Sequence, residues 1–154
     1  MRTLSTLGHA DAERAVTAIR DALVASGRAA VIAVADANGE LLALLRLDGA
    51  PLASVGIATN KAWTAARERR PSGEIGRAAR DPQSGFDIAY YGDPRYLGWG
   101  GGLPVLLDGA VVGAVAVSGL SEGDDVELAS LGVAALLAGV VRTIVEPGGL
   151  PAVI

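Results

Sequence analysis

Two apolar stretches, each split near its middle by a turn-forming pair, limit what this chain can become more than any other feature. The first is "RAAVIAVADANGELLALLRLDG" (residues 28–49) and the second "LPVLLDGAVVGAVAVSG" (residues 103–119). Asn38-Gly39 and Asp108-Gly109 interrupt them, and such pairs reach the positive φ of a tight hairpin at little cost. Each stretch therefore predicts two antiparallel strands. The first does not alternate cleanly between apolar and polar residues, so both faces of that hairpin are expected to be covered.

Helical periodicity supplies the covering. In "ADAERAVTAIRDALVAS" (10–26), Ala12, Ala15, Val16, Ile19, Leu23 and Val24 recur at helical spacing, with Glu13, Arg14, Arg20 and Asp21 mostly on the other side and Gly27 as the stop. A second helix is expected within "DGAPLASVGIATNKAWTAARERR" (48–70), opened by Pro51 and closed by arginines before Pro71. Its inward face of Val55, Ala58, Ala62 and Ala65 or Ala66 is narrow and small, which suits close approach to a sheet. The third, "SEGDDVELASLGVAALLAGVVRTIV" (121–145), begins with Ser121 and Asp124 as a capping-box variant, and Asp125 and Glu127 complete an acidic first turn. Helix, hairpin, helix, long loop, hairpin, helix is the order of an α+β layered domain with an antiparallel sheet.

At 154 residues the chain is expected to be one domain, 1–154. Its 51% apolar content comes from Ala, Val and Leu rather than rings, a surplus that also points to a subunit interface. There is no cysteine, which excludes disulfides and thiolate metal sites. No signal-like segment or apolar run of about 18 residues is present, so a cytoplasmic protein without a membrane partner is expected. Net charge is −4 and the basic residues form no stripe, which argues against nucleic acid.

Residues 71–102 lack sustained periodicity beyond one short helix in "PSGEIGRAARDP". Irregular segments longer than about 12–15 residues are usually functional or disordered, and the rings here argue against disorder. "YYGDPRYLGWGGG" (90–102) holds all three tyrosines and one of two tryptophans in a chain only 4% aromatic. Tyr90, Tyr91, Tyr96 and Trp99 with Arg95 suit the walls of a pocket for a flat, oxygenated and anionic ligand. The same residue types anchor oligomer interfaces. Gly100, Gly101 and Gly102 precede a strand rather than a helix, so a nucleotide cradle fails its context test. They either bring backbone N–H groups close to a ligand or form a bend feeding the strand. His9 is the only histidine; it is a candidate haem ligand or simply a residue at the start of the first helix. Lys61 and Arg67 fall on opposite sides of their helix and cannot grip one anion. Asp124, Asp125 and Glu127 are better explained as helix-dipole partners than as a metal site, and no metal is assigned.

"VAVADANG", "NKAWTAA", "GGGLPV" and "GAVAVSG", in this order and over nearly the whole chain, resemble the GlcG/HbpS family, which includes haem-binding HbpS and the C-terminal domain of PduO-type proteins. The resemblance implies a profilin-like layered sandwich with a five-stranded antiparallel sheet flanked by helices, and homo-oligomers such as dimers, tetramers or octamers. Only four strands are legible, so the fifth would have to come from the loop region or its borders. It also implies that Lys61 is the family's recurrent lysine, facing the pocket to bind a carboxylate or propionate, and that haem or a corrinoid is a candidate ligand.

Two functional classes follow, with a structural partner subunit for another enzyme as a third, plainer option. One is a module binding a small planar ligand, with haem as candidate cofactor, through His9, Lys61, Arg95, Trp99 and Gly100–Gly102. The other is a cofactor-independent isomerase or lyase acting on an oxygenated ring or keto acid. Tyr90, Tyr91 or Tyr96 would be its acid, Asp93 or Asp87 its base, and the glycine amides would stabilise an enolate. No nucleophile elbow, triad or metal-ligand pair is visible, so hydrolysis is not favoured.

Overall fold

Both hairpins form where the turn residues place them, with Gly39 at φ 90° and Asp108 and Gly109 at φ 50° and 78°. The computed structural model describes residue 1 and residues 3–145, with side-chain environments up to residue 140. In chain order the elements are α1 (His9–Ala25), β1 (Val31–Asp36), β2 (Leu41–Arg46), α2 (Ser54–Glu68), α3 (Ser72–Ala79), a single 3-10 turn (Ile88–Tyr91), β3 (Gly102–Leu107), β4 (Ala110–Ser118) and α4 (Glu122–Val145). The four strands make one sheet in the order β2-β1-β4-β3, antiparallel throughout.

The period-two geometry of the central strands sorts their side chains between two helical layers. Ile32 and Val34 of β1 and Val115 and Val117 of β4 join Ala12, Ala15, Ile19 and Leu23 of α1 and Leu128, Ala129 and Leu136 of α4. On the opposite face Val31, Ala33, Ala35 and Ala116 meet Ala58 and Ala62 of α2, and Ala114 meets Ala65 and Ala66. The α2 face is nearly all alanine, so helix and sheet backbones come close, as the sequence implies. The expectation that both faces of the first hairpin are covered holds for β1, buried over five of its six residues. It fails for β2, an edge strand with Leu41 and Leu44 exposed.

The five-stranded expectation is corrected to four among the described residues. Residues 80–100 form no strand, their backbone groups bonding within tight turns or to the hydroxyls of Thr64 and Ser72. Asp81 accepts from the amides of Gln83 and Ser84, Asp87 from Ala89 and Asp93 from Arg95. These Asx-type turns consume the donors that a sheet ladder would need. The single-domain reading over 1–154 extends past the described residues at 146–154.

Candidate functional site

One hollow forms where three elements and the glycine run converge. Ser54, Ile57 and Lys61 lie three and four residues apart on α2 and so share one face; Ser118, Gly119 and Leu120 come from the end of β4, Glu122 and Asp125 from the start of α4, and Trp99 and Gly100 close the third side. Its volume is about 330 Å³.

At its floor lies a buried ion pair. Lys61 Nζ donates to Asp125 Oδ2 at 3.0 Å and to the Val117 carbonyl at 3.0 Å, and both side chains are almost wholly buried. The Leu120 amide donates to Asp125 Oδ1 at 3.2 Å. Burial raises the Asp125 carboxyl above its usual range, against the opposing pull of the Lys61 hydrogen bond and charge. Lys61 thus ties α2 to β4 and α4, and it is the only lysine in the sequence.

The glycine run is shaped by backbone approach. Gly101 sits at φ 112°, and a Cβ there would meet the Val117 carbonyl at 2.7 Å and Lys61 Nζ at 2.9 Å. Its carbonyl accepts from the Val117 amide. Gly102 begins β3 and donates its N–H to Ser72 Oγ at 3.0 Å, while that hydroxyl donates to the Trp99 carbonyl at 2.6 Å. A Cβ on Gly76 of α3 would stand 2.0 Å from the Gly98 carbonyl oxygen, so α3 and the loop touch backbone to backbone. Upstream, Thr64 Oγ1 donates to the Arg95 carbonyl and accepts from the Leu97 amide.

Of the residues singled out from the sequence, Lys61, Trp99 and Gly100 line the hollow and Gly101 and Gly102 lie directly behind it. The tyrosines and Arg95 gather elsewhere, over the C-terminal half of α2. Tyr91 stacks on Tyr96 at 4.3 Å, Tyr96 meets Trp63 edge-on at 4.9 Å, and the Arg95 guanidinium lies 4.3 Å above the Trp63 ring. Asp93 Oδ2 accepts from Arg95 at 2.7 Å, and this hydrogen bond lowers the Asp93 carboxyl to about 2. Tyr90 is 90% exposed; it borders a shallow cavity of about 190 Å³ with Phe86, Asp87 and Tyr91. His9 is the exposed first residue of α1, which packs on the sheet face opposite α2, and it does not line the hollow. Asp124 is engaged by Ser121 and Arg28, and among the described residues no three metal-binding side chains come together.

Sequence reasoning missed Ser54, Ile57, Ser118, Gly119, Leu120 and Glu122, together with the supporting Thr64 and Ser72; small polar residues on a helix carry no signal of which hydroxyl turns inward. It named Asp125 only as an acid of a first turn. One pointer is available: a solitary lysine beside the alanine stripe of α2, in a chain with twelve arginines.

Residues 7–134 match the family described as "Haem degrading protein HbpS-like". The crystal structure of Klebsiella pneumoniae ORFY superposes with a TM-score of 0.85 at 31% identity, covering 90% of this chain and 95% of that one. HbpS of Streptomyces reticuli, as a double mutant, gives 0.76 at 34% identity over 88% and 90%. A PduOC–haem complex gives 0.77 at 24% identity over 84% and 94%, which shows the fold alone. No described helix is long and apolar enough to cross a membrane.

Proposed function

The chain belongs to the HbpS-like family, and from that premise we propose that it is a small-ligand-binding protein whose ligand lodges in the hollow between α2, the end of β4 and the start of α4. The observation that carries this reading is the meeting of these elements around a recess of about 330 Å³, near the lower end of the range for ligand sites. Trp99, 56% exposed at its mouth, offers a ring face to a flat molecule.

Haem is the first candidate, because the family description names it and a protein of this fold has been crystallised with it. The donor set fits only in part. The ring wall suits a macrocycle edge, but the lining holds no histidine or methionine, and Lys61 is committed to Asp125. Haem here would be held by stacking on Trp99 with one edge in the recess, not by an iron ligand from the hollow. Haem, when bound, would bring an iron centre; this chain's own part would be to seat one edge of the ring and cover it with the Trp99 face. The exposed Leu41, Leu44 and Leu106 on the edge strands are surfaces that a homo-oligomer would cover.

The enzymatic alternative loses support from the placement of its residues. The tyrosines lie off the hollow, and an Asp93 carboxyl at about 2 is a poor base near neutral pH.

Hemin titration followed by the Soret band tests the proposal. A stoichiometric shifted band is expected, retained in His9→Ala and abolished by Ile57→Trp, which fills the recess. A band lost in His9→Ala and indifferent to Ile57→Trp would move the ligand out of the hollow; no stoichiometric band in the parent protein would remove haem.

A further inference from the structure

The floor of the hollow carries two hydroxyls that the fold does not use. Ser54 and Ser118 are each 4% exposed, both line the recess, and neither side chain has a hydrogen-bond partner among the described residues. Their neighbours Thr64 and Ser72 differ, since each of those hydroxyls both donates and accepts within the protein. Neither oxygen is among the fully buried polar atoms that lack a partner, which are Arg14 Nε and Trp63 Nε1, so both hydroxyls open onto the hollow, where a ligand's polar atoms can take the place of solvent.

The charge around them selects the kind of ligand. Lys61 is matched by Asp125 at 3.0 Å, and the remaining ionisable group of the lining is Glu122, so one cation faces two carboxylates. Glu122 in turn has Arg77 at 3.8 Å, and both of those side chains are more than half exposed, so this second pair is balanced and screened by solvent. An incoming carboxylate would find no unpaired cation in the lining. A neutral molecule with oxygens on adjacent carbons needs no counter-charge, and it can both donate to and accept from the two hydroxyls.

We propose that Ser54 and Ser118 form a recognition site for a small uncharged polyol or hydroxy-carbonyl compound at the bottom of the hollow. The inference rests on the hollow being a ligand site, as in the reading above, but not on that ligand being haem. The recess, of about 330 Å³, has room for a small polyol, whereas a porphyrin would reach it by one edge only.

Saturation-transfer NMR titrations with erythritol, and with its carboxylate counterpart erythronate, test the site on the full chain. Erythritol is expected to saturate, and to bind more tightly than erythronate. In the double variant Ser54→Ala/Ser118→Ala its affinity is expected to fall about tenfold, the combined effect of two neutral hydrogen bonds, with the thermal midpoint not lowered because the hydroxyls hold no protein partner. Absence of saturation, equal affinity in the double variant, or tighter binding of erythronate would each overturn the proposal. Hemin separates the two readings: a Soret shift that persists when erythritol fails sinks this inference alone, and erythritol binding without any Soret shift sinks the haem reading alone.

Discussion

Asp93 and Asp125 each pair with a cation, at 2.7 Å to Arg95 and 3.0 Å to Lys61, yet their carboxyls move in opposite directions. In the ring-bearing loop, Asp93 is lowered to about 2, first by the Arg95 side chain and then by the Arg95 amide, with water at hand to solvate the charge. On the floor of the hollow, Asp125 is raised because loss of water outweighs what Lys61 and the Leu120 amide return. The two regions divide labour accordingly. The loop is conspicuous, aromatic and mostly exposed, and its pair is of a kind that contributes little to stability. The floor is built from inconspicuous residues, and its pair cannot lose one member cheaply.

Removing the Lys61 ammonium is therefore the harshest test of the contrast. Lys61→Met strands the Asp125 carboxylate in a buried site, and the expected loss in chemical denaturation is about 3–5 kcal/mol. Adding Asp125→Leu should restore most of it, since two apolar side chains carry no desolvation penalty. A loss below about 1 kcal/mol in the single variant would place the pair in the same class as Asp93 and Arg95. Glycine substitutions give the next largest effect. Gly76→Ala drives a Cβ to 2.0 Å from the Gly98 carbonyl oxygen, and backbone cannot swing aside as a side chain can, so about 3 kcal/mol is expected. Gly92→Ala, in the ring-bearing loop at φ 72° with open space around it, should cost about 1 kcal/mol for its left-handed conformation alone. Thermal unfolding of both variants ranks them; the reverse order would mean that the loop, not the α3 contact, holds this side of the molecule together.

That ranking also explains what the sequence made legible. Hairpins, helices and the alanine face of α2 were readable because each follows from local periodicity and turn chemistry, as the closeness of Ala58 and Ala62 to Ala33 and Ala116 illustrates. Kinship was readable from motifs such as "NKAWTAA". The site was only partly so. Lys61, Trp99 and Gly100 were found, but Lys61 was assigned an external carboxylate, and its partner Asp125 lies 64 residues away. No local pattern encodes a contact of that separation, and an acid in a first helical turn already has a sufficient local explanation. The tyrosines misdirected attention for a physical reason as well: rings stack wherever they find a planar neighbour, and Trp63 on the outer part of α2 supplied one.

The smallest expected effect is also the most direct reading of the two carboxyls. Observed by carboxyl NMR in the folded protein, Asp93 should titrate near 2 and Asp125 above the ordinary 3.8. Arg95→Ala should return Asp93 toward 3.8 and leave Asp125 where it was. Linkage then gives stability trends of opposite sign. Because the folded Asp93 holds its proton less tightly than the unfolded chain, its contribution is present above pH 3.8 and fades as pH falls toward 2. Asp125 holds its proton more tightly when folded, so its contribution is fully present below 3.8 and declines as pH rises through its raised value. Between pH 4 and 2 the parent protein should accordingly lose stability relative to Asp93→Asn. Above pH 3.8 it should lose stability relative to Asp125→Asn as the pH rises. If both carboxyls titrate below 3.8, burial does not govern the floor of the hollow, and the Lys61 charge would dominate there as Arg95 does in the loop.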